Sequence, residues 1–124
     1  MPMGPNGLIT VRGRVSGLPR TTPVTIVEMS GRRWVMGVYG DVSWVRNLRA
    51  ARRATITVRR RTEAVTAVEL APTDAVAFFR EAFAPLVRRY GGLGAWIVRN
   101  IDKIDIDNPA KAAQGRPVFE LHPA

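Results

Sequence analysis

"LITVRGRVSGLPRTTPVTIVEMSGRRWVMGVY", residues 8–39, is the stretch on which the fold class turns. β-Branched residues dominate "LITVRG" (8–13) and "TPVTIVEM" (22–29), which read as two strands. The connection between them holds Arg14, Ser16, Gly17, Pro19 and Arg20. "SG" at 30–31 is a short turn, and "RRWVMGVY" (32–39) returns as a strand, making a hairpin. Strands that follow one another this closely leave no room for crossover helices, so the sheet is expected to be antiparallel.

The downstream sequence extends that pattern. "GD" at 40–41 closes the strand, and "VSWVRNLRAAR" (42–52) puts Val42, Val45 and Leu48 at helical spacing, with Asp41 or Ser43 as N-cap. "ATITVRR" (54–60) and "EAVTAVEL" (63–70) alternate on either side of "RT", which suggests a second hairpin. A longer helix starts at Thr73 and Asp74 after Pro72 and runs through "AVAFFREAFAPLVRRY" to Tyr90, bent at Pro85. "GGLGAWIVRNIDKIDID" (91–107) reads as a loop with a second helix near residues 95–104. "NPAKAAQGRP" (108–117) reads as a polar surface loop, and "VFEL" (118–121) as a terminal strand. The expectation is a mainly β protein with α elements (α+β), six to seven antiparallel strands closed into a small barrel. A short helix sits mid-chain and a longer one precedes the last strand.

Composition narrows the chemistry. At 124 residues, one domain covering 1–124 is expected. There is no cysteine, and His122 is the single histidine, so disulfides, a cysteine nucleophile and a multi-histidine metal site have no residues to build them. No metal site is expected. No apolar run approaches the roughly 20 residues of a membrane helix, and "MPMGPNG" lacks signal-peptide character, so a cytoplasmic protein is expected. The formal charge is +9, almost all of it arginine. Either a polyanionic partner or the codon bias of a GC-rich genome accounts for it. "RRATITVRRR" (52–61) has no interleaved aromatics, and strand alternation splits its arginines between faces, which argues for solvation over nucleic-acid binding.

Two clusters carry candidate chemistry. In the first loop, backbone N–H groups of a glycine-containing turn can form an anion nest. Arg14 and Arg20 can add charge-assisted bonds, and Thr21 and Thr22 hydroxyls. The competing reading is an ordinary solvated turn. In "YGDVSWVRNLRA" (39–50), a helix amino end favours phosphate and Trp44 offers a flat surface to a ring. The competing reading is a core tryptophan.

In this order, "GRVSGLPRTTPV" (13–24), the hairpin, Trp44 with Asn47–Leu48, "TITV" (55–58) and "RPVFEL" (116–121) resemble the deazaflavin-dependent nitroreductase family. The resemblance implies a split β-barrel of the flavin-binding kind and the reduced 8-hydroxy-5-deazaflavin, coenzyme F420, whose tail carries phosphate and glutamates. It would place Arg14, Val15 and Ser16 on the phosphate or tail, with Arg20, Thr21, Thr22, Pro23, Val24 and Thr25 along the same groove. Gly37, Val38, Tyr39 and Gly40, with Ser43, Trp44, Val45, Arg46 and Asn47, would approach the ring and ribityl chain. It implies hydride transfer to a small electron-poor acceptor such as a quinone, nitro compound or activated alkene. Tyr39 or Tyr90, or water, would deliver the proton. FMN is the lesser cofactor expectation, and a non-catalytic binder of a flavin or lipid-like ligand is the alternative function. Peripheral membrane contact and a homodimer complete the expectations; a nucleic-acid partner is not among them. Several positions depart from the family pattern. Val15 stands where lysine is frequent, Val38-Tyr39-Gly40-Asp41 where S-K-G-G is usual, and residues 91–114 lack the tyrosine-rich pattern.

Overall fold

Residues 6–89, 91–92, 98 and 103–124 are described by a computed structural model. β1 (Gly7–Arg12) buries Ile9 and Val11 and turns Thr10 and Arg12 outward, the period-two pattern of a half-buried strand. It pairs antiparallel with β2 (Pro19–Val24) on one side and β5 (Arg53–Val58) on the other. β5 pairs with β6 (Arg61–Glu69), β6 with β7 (Val118–Pro123), β7 with β4 (Arg32–Met36), and β4 with β3 (Ile26–Met29). The result is one seven-stranded antiparallel sheet of order β2-β1-β5-β6-β7-β4-β3, curled into a split barrel.

The two edge strands, β2 and β3, are consecutive in the chain and meet at Thr25. Asn6 closes the seam between them. Its backbone N–H donates to the Val24 carbonyl at 3.1 Å, while its side-chain amide donates to the Ile26 carbonyl at 2.9 Å and accepts the Ile26 N–H at 2.7 Å. A side chain here does the work of a strand backbone.

Two apolar clusters follow from the alternation. Ile9, Val11, Ile26, Val35, Ile56, Val65, Phe119 and Leu121 fill the barrel, capped by Val45 and Leu48 of α1 (Ser43–Ala51). Val27, Trp34, Met36 and Val118 point the other way, under α2 (Pro72–Phe78), a π-helical segment (Phe79–Phe83) and α3 (Ala84–Arg89). Thus "WVM" (34–36) is buried on both faces, each large side chain contributing about 1.5–3 kcal/mol.

Several boundaries differ from the sequence expectations. The single strand expected at 22–29 is two strands broken at Thr25, and β2 begins at Pro19, inside the presumed loop. Pro19 and Pro23 are tolerated because β2 is an edge. β4 stops at Met36, short of Tyr39. The second hairpin turns at Arg59–Arg60, both left-handed (φ 51° and 67°), earlier than "RT". The α1 N-cap is Val42, with no side-chain bond from Asp41 or Ser43. The helix interruption is a π turn ahead of Pro85: Ala84 donates its N–H to Phe79, five residues back, and the wider turn accommodates a proline that has no N–H to give. Residues 108–117 are no mere loop. α4 (Pro109–Ala113) is N-capped by Asn108, whose side chain accepts the Lys111 N–H at 3.2 Å, and it buries Ala112. Most of the helix expected near residues 95–104, and Tyr90, lie outside the described residues. No helix among the described residues is long and apolar enough to cross a membrane.

Candidate functional site

The loop from Gly13 to Leu18 continues the β1–β2 register as a compact turn. The Gly13 N–H donates to the Leu18 carbonyl at 2.8 Å and the Gly17 N–H to the Gly13 carbonyl at 2.9 Å. The Leu18 N–H donates to Ser16 Oγ at 3.2 Å. Both glycines have local reasons: Gly17 is left-handed (φ 73°), and a Cβ on Gly13 would stand 2.7 Å from Ser16 Oγ. α1 then fastens the loop. Asn47, a buried polar residue, accepts both the Arg14 backbone N–H (3.1 Å) and the Arg14 guanidinium (2.7 Å) on its Oδ1.

α1 is itself braced from behind. Arg49 forks onto Glu69 (2.8 and 3.0 Å) and reaches Asp41 at 2.9 Å, and these two carboxylates raise its pKa further above the ordinary guanidinium range. Arg46 donates to the Asp41 carbonyl at 3.0 Å.

Between loop, β2 and α1 lies a cleft of about 450 Å³, lined by Gly13, Arg14, Val15, Ser16, Arg20, Thr21, Thr22, Ser43, Trp44 and Asn47. That volume falls in the range of small-molecule sites. Arg32, Arg33, Arg49, Arg80 and Arg88 have carboxylate partners; Arg14 and Arg20, like Arg12, Arg53 and Arg59 elsewhere on the surface, have none among the described residues. Two uncompensated guanidiniums, four hydroxyls, an uncapped helix amino end and an indole surface suit a ligand with an anionic part and a flat part. Among the described residues, the lining holds no carboxylate, histidine, lysine or tyrosine. Among the described residues, no three His, Cys, Asp or Glu side chains cluster as a metal site would require.

The other positions singled out in the sequence sit elsewhere. Val24 and Val45 point into the barrel core, and Pro23 and Thr25 lie along the edge toward the seam. Arg46 holds the Asp41 carbonyl outside the lining. Gly37 provides no slot for a ring: a Cβ there would meet the Gly40 carbonyl at 2.9 Å, Val45 at 3.0 Å and Pro117 at 3.3 Å, so the protein's own packing requires the glycine. Val38, Tyr39 and Gly40 form a turn beyond the cleft lining, with Tyr39 75% exposed. Arg116, marked in the sequence only as the start of "RPVFEL", organises this turn. It donates to the carbonyls of Val38 (3.2 Å), Ala112 (3.0 Å) and Lys103 (2.9 Å), and no local pattern in "QGRP" announces that.

The fold recurs in solved structures at low identity. An F420-H2 dependent reductase, FDR-A, superposes with a TM-score of 0.60 and 20% identity, over 94% of this chain and 92% of its own. An FMN-binding, pyridoxamine 5'-phosphate oxidase-related protein from Nostoc punctiforme gives 0.61 at 8% identity, over 95% and 71%. A protein of unknown function from Agrobacterium tumefaciens, Atu2129, gives 0.54 at 16% identity; this chain is covered over 97% and spans about half, 49%, of that one. No curated protein matches the chain. Its sequence over residues 1–103 matches the F420H(2)-dependent quinone reductases, and the chain belongs to that family.

Proposed function

We propose that the cleft between the Gly13–Leu18 loop and α1 binds reduced F420, and that the chain is a reductase of quinones or of similarly electron-poor nitro compounds and activated alkenes. The observation that carries this reading is a pair of arginines without carboxylate partners among the described residues, Arg14 and Arg20, in one cleft with Ser16, Thr21, Thr22 and Trp44. When bound, the cofactor supplies the hydride. Arg14 and Arg20 hold its anionic part, with the threonine hydroxyls adding neutral hydrogen bonds. Asn47 fixes Arg14 before the ligand arrives, so less ordering remains to be done on binding. Trp44 offers its indole face to the ring. Water supplies the proton for the acceptor in this reading: among the described residues the cleft lining holds no carboxylate, histidine, lysine or tyrosine, Tyr39 stands on an exposed turn outside it, and Tyr90 lies outside the described residues.

Fluorescence titration with F420H2 tests the assignment. Arg14→Ala and Arg20→Ala each remove a charge-assisted bond worth about 1.5–3 kcal/mol, so each should weaken binding roughly ten- to hundredfold. Rising salt should weaken the wild type and matter less in the double variant. A double variant with wild-type affinity would remove the cleft from the mechanism. The Nostoc neighbour supports a second reading, FMN in the same cleft. FMN titrated beside F420H2 decides it: F420H2 is expected to bind the more tightly, and FMN binding at equal or greater affinity overturns the cofactor assignment.

A further inference from the structure

A second cavity, about 430 Å³, opens between the β3–β4 hairpin and the helical layer, lined by residues that play no part in the cleft described above. Trp34 and Phe78 form its apolar wall, their ring centroids 5.3 Å apart. Trp34 is 5% exposed, and its buried indole Nε1 has no hydrogen-bond partner among the described residues. A buried tryptophan usually finds an acceptor, and leaving the donor empty is costly. The π segment contributes Glu81 to the wall; such widened turns recur at functional sites.

The charge at the rim runs against that of the chain. Among the described lining residues, the carboxylates Asp74, Glu81 and Glu120 stand with one cation, Arg32, in a protein of net charge +9. Arg32 lies over the Trp34 ring at 4.9 Å and forks onto Glu120 at 2.9 Å through two bonds. That pair consumes Glu120. Glu81 is met by Arg80 at 2.9 Å, both more than half exposed, and Asp74 makes no hydrogen bond or ion pair among the described residues. The Arg32 side chain is 57% exposed, so its guanidinium can swing into water as a group enters, at the cost of its two bonds to Glu120, whose side chain is 16% exposed.

We propose that this cavity binds a small organic cation, an aromatic amine carrying an oxygen acceptor. Its ammonium sits between Asp74 and Glu81, its ring lies against Trp34 and Phe78, and its oxygen accepts the indole N–H as Arg32 swings aside. The site is separate from the reductase cleft and stands whatever cofactor that cleft takes.

The test uses the full-length ¹⁵N-labelled chain and two probes of matched shape, 4-methoxyphenethylamine and 3-(4-methoxyphenyl)propionate. The readout is the indole N–H resonance of Trp34, identified by its disappearance in Trp34→Phe. The amine should bind at least tenfold more tightly than the acid and shift this resonance. The exposed double variant Asp74→Asn/Glu81→Gln should lose the tenfold preference while titrating with F420H2 as the wild type does. Equal binding of the two probes, a Trp34 resonance that neither moves, or a preference that survives the double variant would each overturn the proposal.

Discussion

Asn47 shows how much one buried polar atom can decide. Its Oδ1 is the common acceptor for the Arg14 backbone and side chain, so a residue on α1 sets the position of a cation on the β1–β2 loop. The sequence marks Asn47 as polar beside Trp44 but gives no sign that its partner lies thirty-three residues upstream. Two substitutions separate its structural part from its electrostatic part. Asn47→Ala orphans the Arg14 N–H and should cost about 1–3 kcal/mol, visible as a lower melting temperature. Asn47→Asp keeps an acceptor in place and should melt close to the wild type. Its carboxylate, however, neutralises Arg14, so F420H2 affinity should fall tenfold or more. A stable Asp variant with unchanged affinity would mean that Arg14 never meets the anion. Glu63 and Glu120 offer a contrast. Hydrogen bonds from Arg33 and Arg32 hold both carboxyls below their ordinary value, yet these are ion pairs of the outer sheet, away from the cleft.

Hairpins were legible where local chemistry suffices, as at Ser30–Gly31, whose left-handed pair (φ 55° and 75°) is what a two-residue turn demands. Reading failed where tertiary context overrides local preference. Arg59 and Arg60 adopt the same left-handed geometry without glycine, so local preference points to a turn two residues later, at Arg61–Thr62. The π turn depends on packing Phe78, Phe79 and Phe83 against one another as well as on Pro85, and periodicity alone shows only the proline. The Asn108–Pro109 pair, by contrast, is a helix start that the surrounding polar residues concealed. β2 is the instructive case, because half of it, Pro19–Thr21, falls where the sequence suggests a loop. The Gly13 to Leu18 bond continues the register that opposes Arg12 to Pro19, so Arg20, Thr22 and Val24 bond inward and Pro19, Thr21 and Pro23 present their nitrogens outward. Two of those three outward positions lack an N–H, which blunts the edge against another strand. Replacing both prolines with valine should leave the β1–β2 ladder intact and promote self-association. Size-exclusion chromatography across a concentration series measures this; a double variant that elutes as the wild type at every concentration would show that the prolines protect nothing.

The molecule as a whole depends on a seam that no ladder crosses. Its two sheet edges are neighbours in the chain, and Asn6 spans them, from the Val24 carbonyl to both backbone groups of Ile26. The proposed cofactor cleft lies on one of those edges, because Arg20, Thr21 and Thr22 belong to β2. Closure and binding are therefore coupled through one strand. Asn6→Ala leaves Ile26, which is 3% exposed, with an unmet donor and an unmet acceptor, at about 1–3 kcal/mol for each orphaned group. The loss should be local. Amide exchange should quicken in β2 and β3, while β5 and β6, paired on both sides, keep their protection. As β2 loosens, F420H2 affinity should fall with it, although Asn6 lines no part of the cleft. Asn6→Asp separates the two halves of the contact, since it keeps the acceptor for the Ile26 N–H and lacks the donor to its carbonyl. It should lie between wild type and alanine in both exchange and affinity. Uniform exchange across all seven strands, or an unaltered affinity beside fast exchange in β2, would break the link between seam and site.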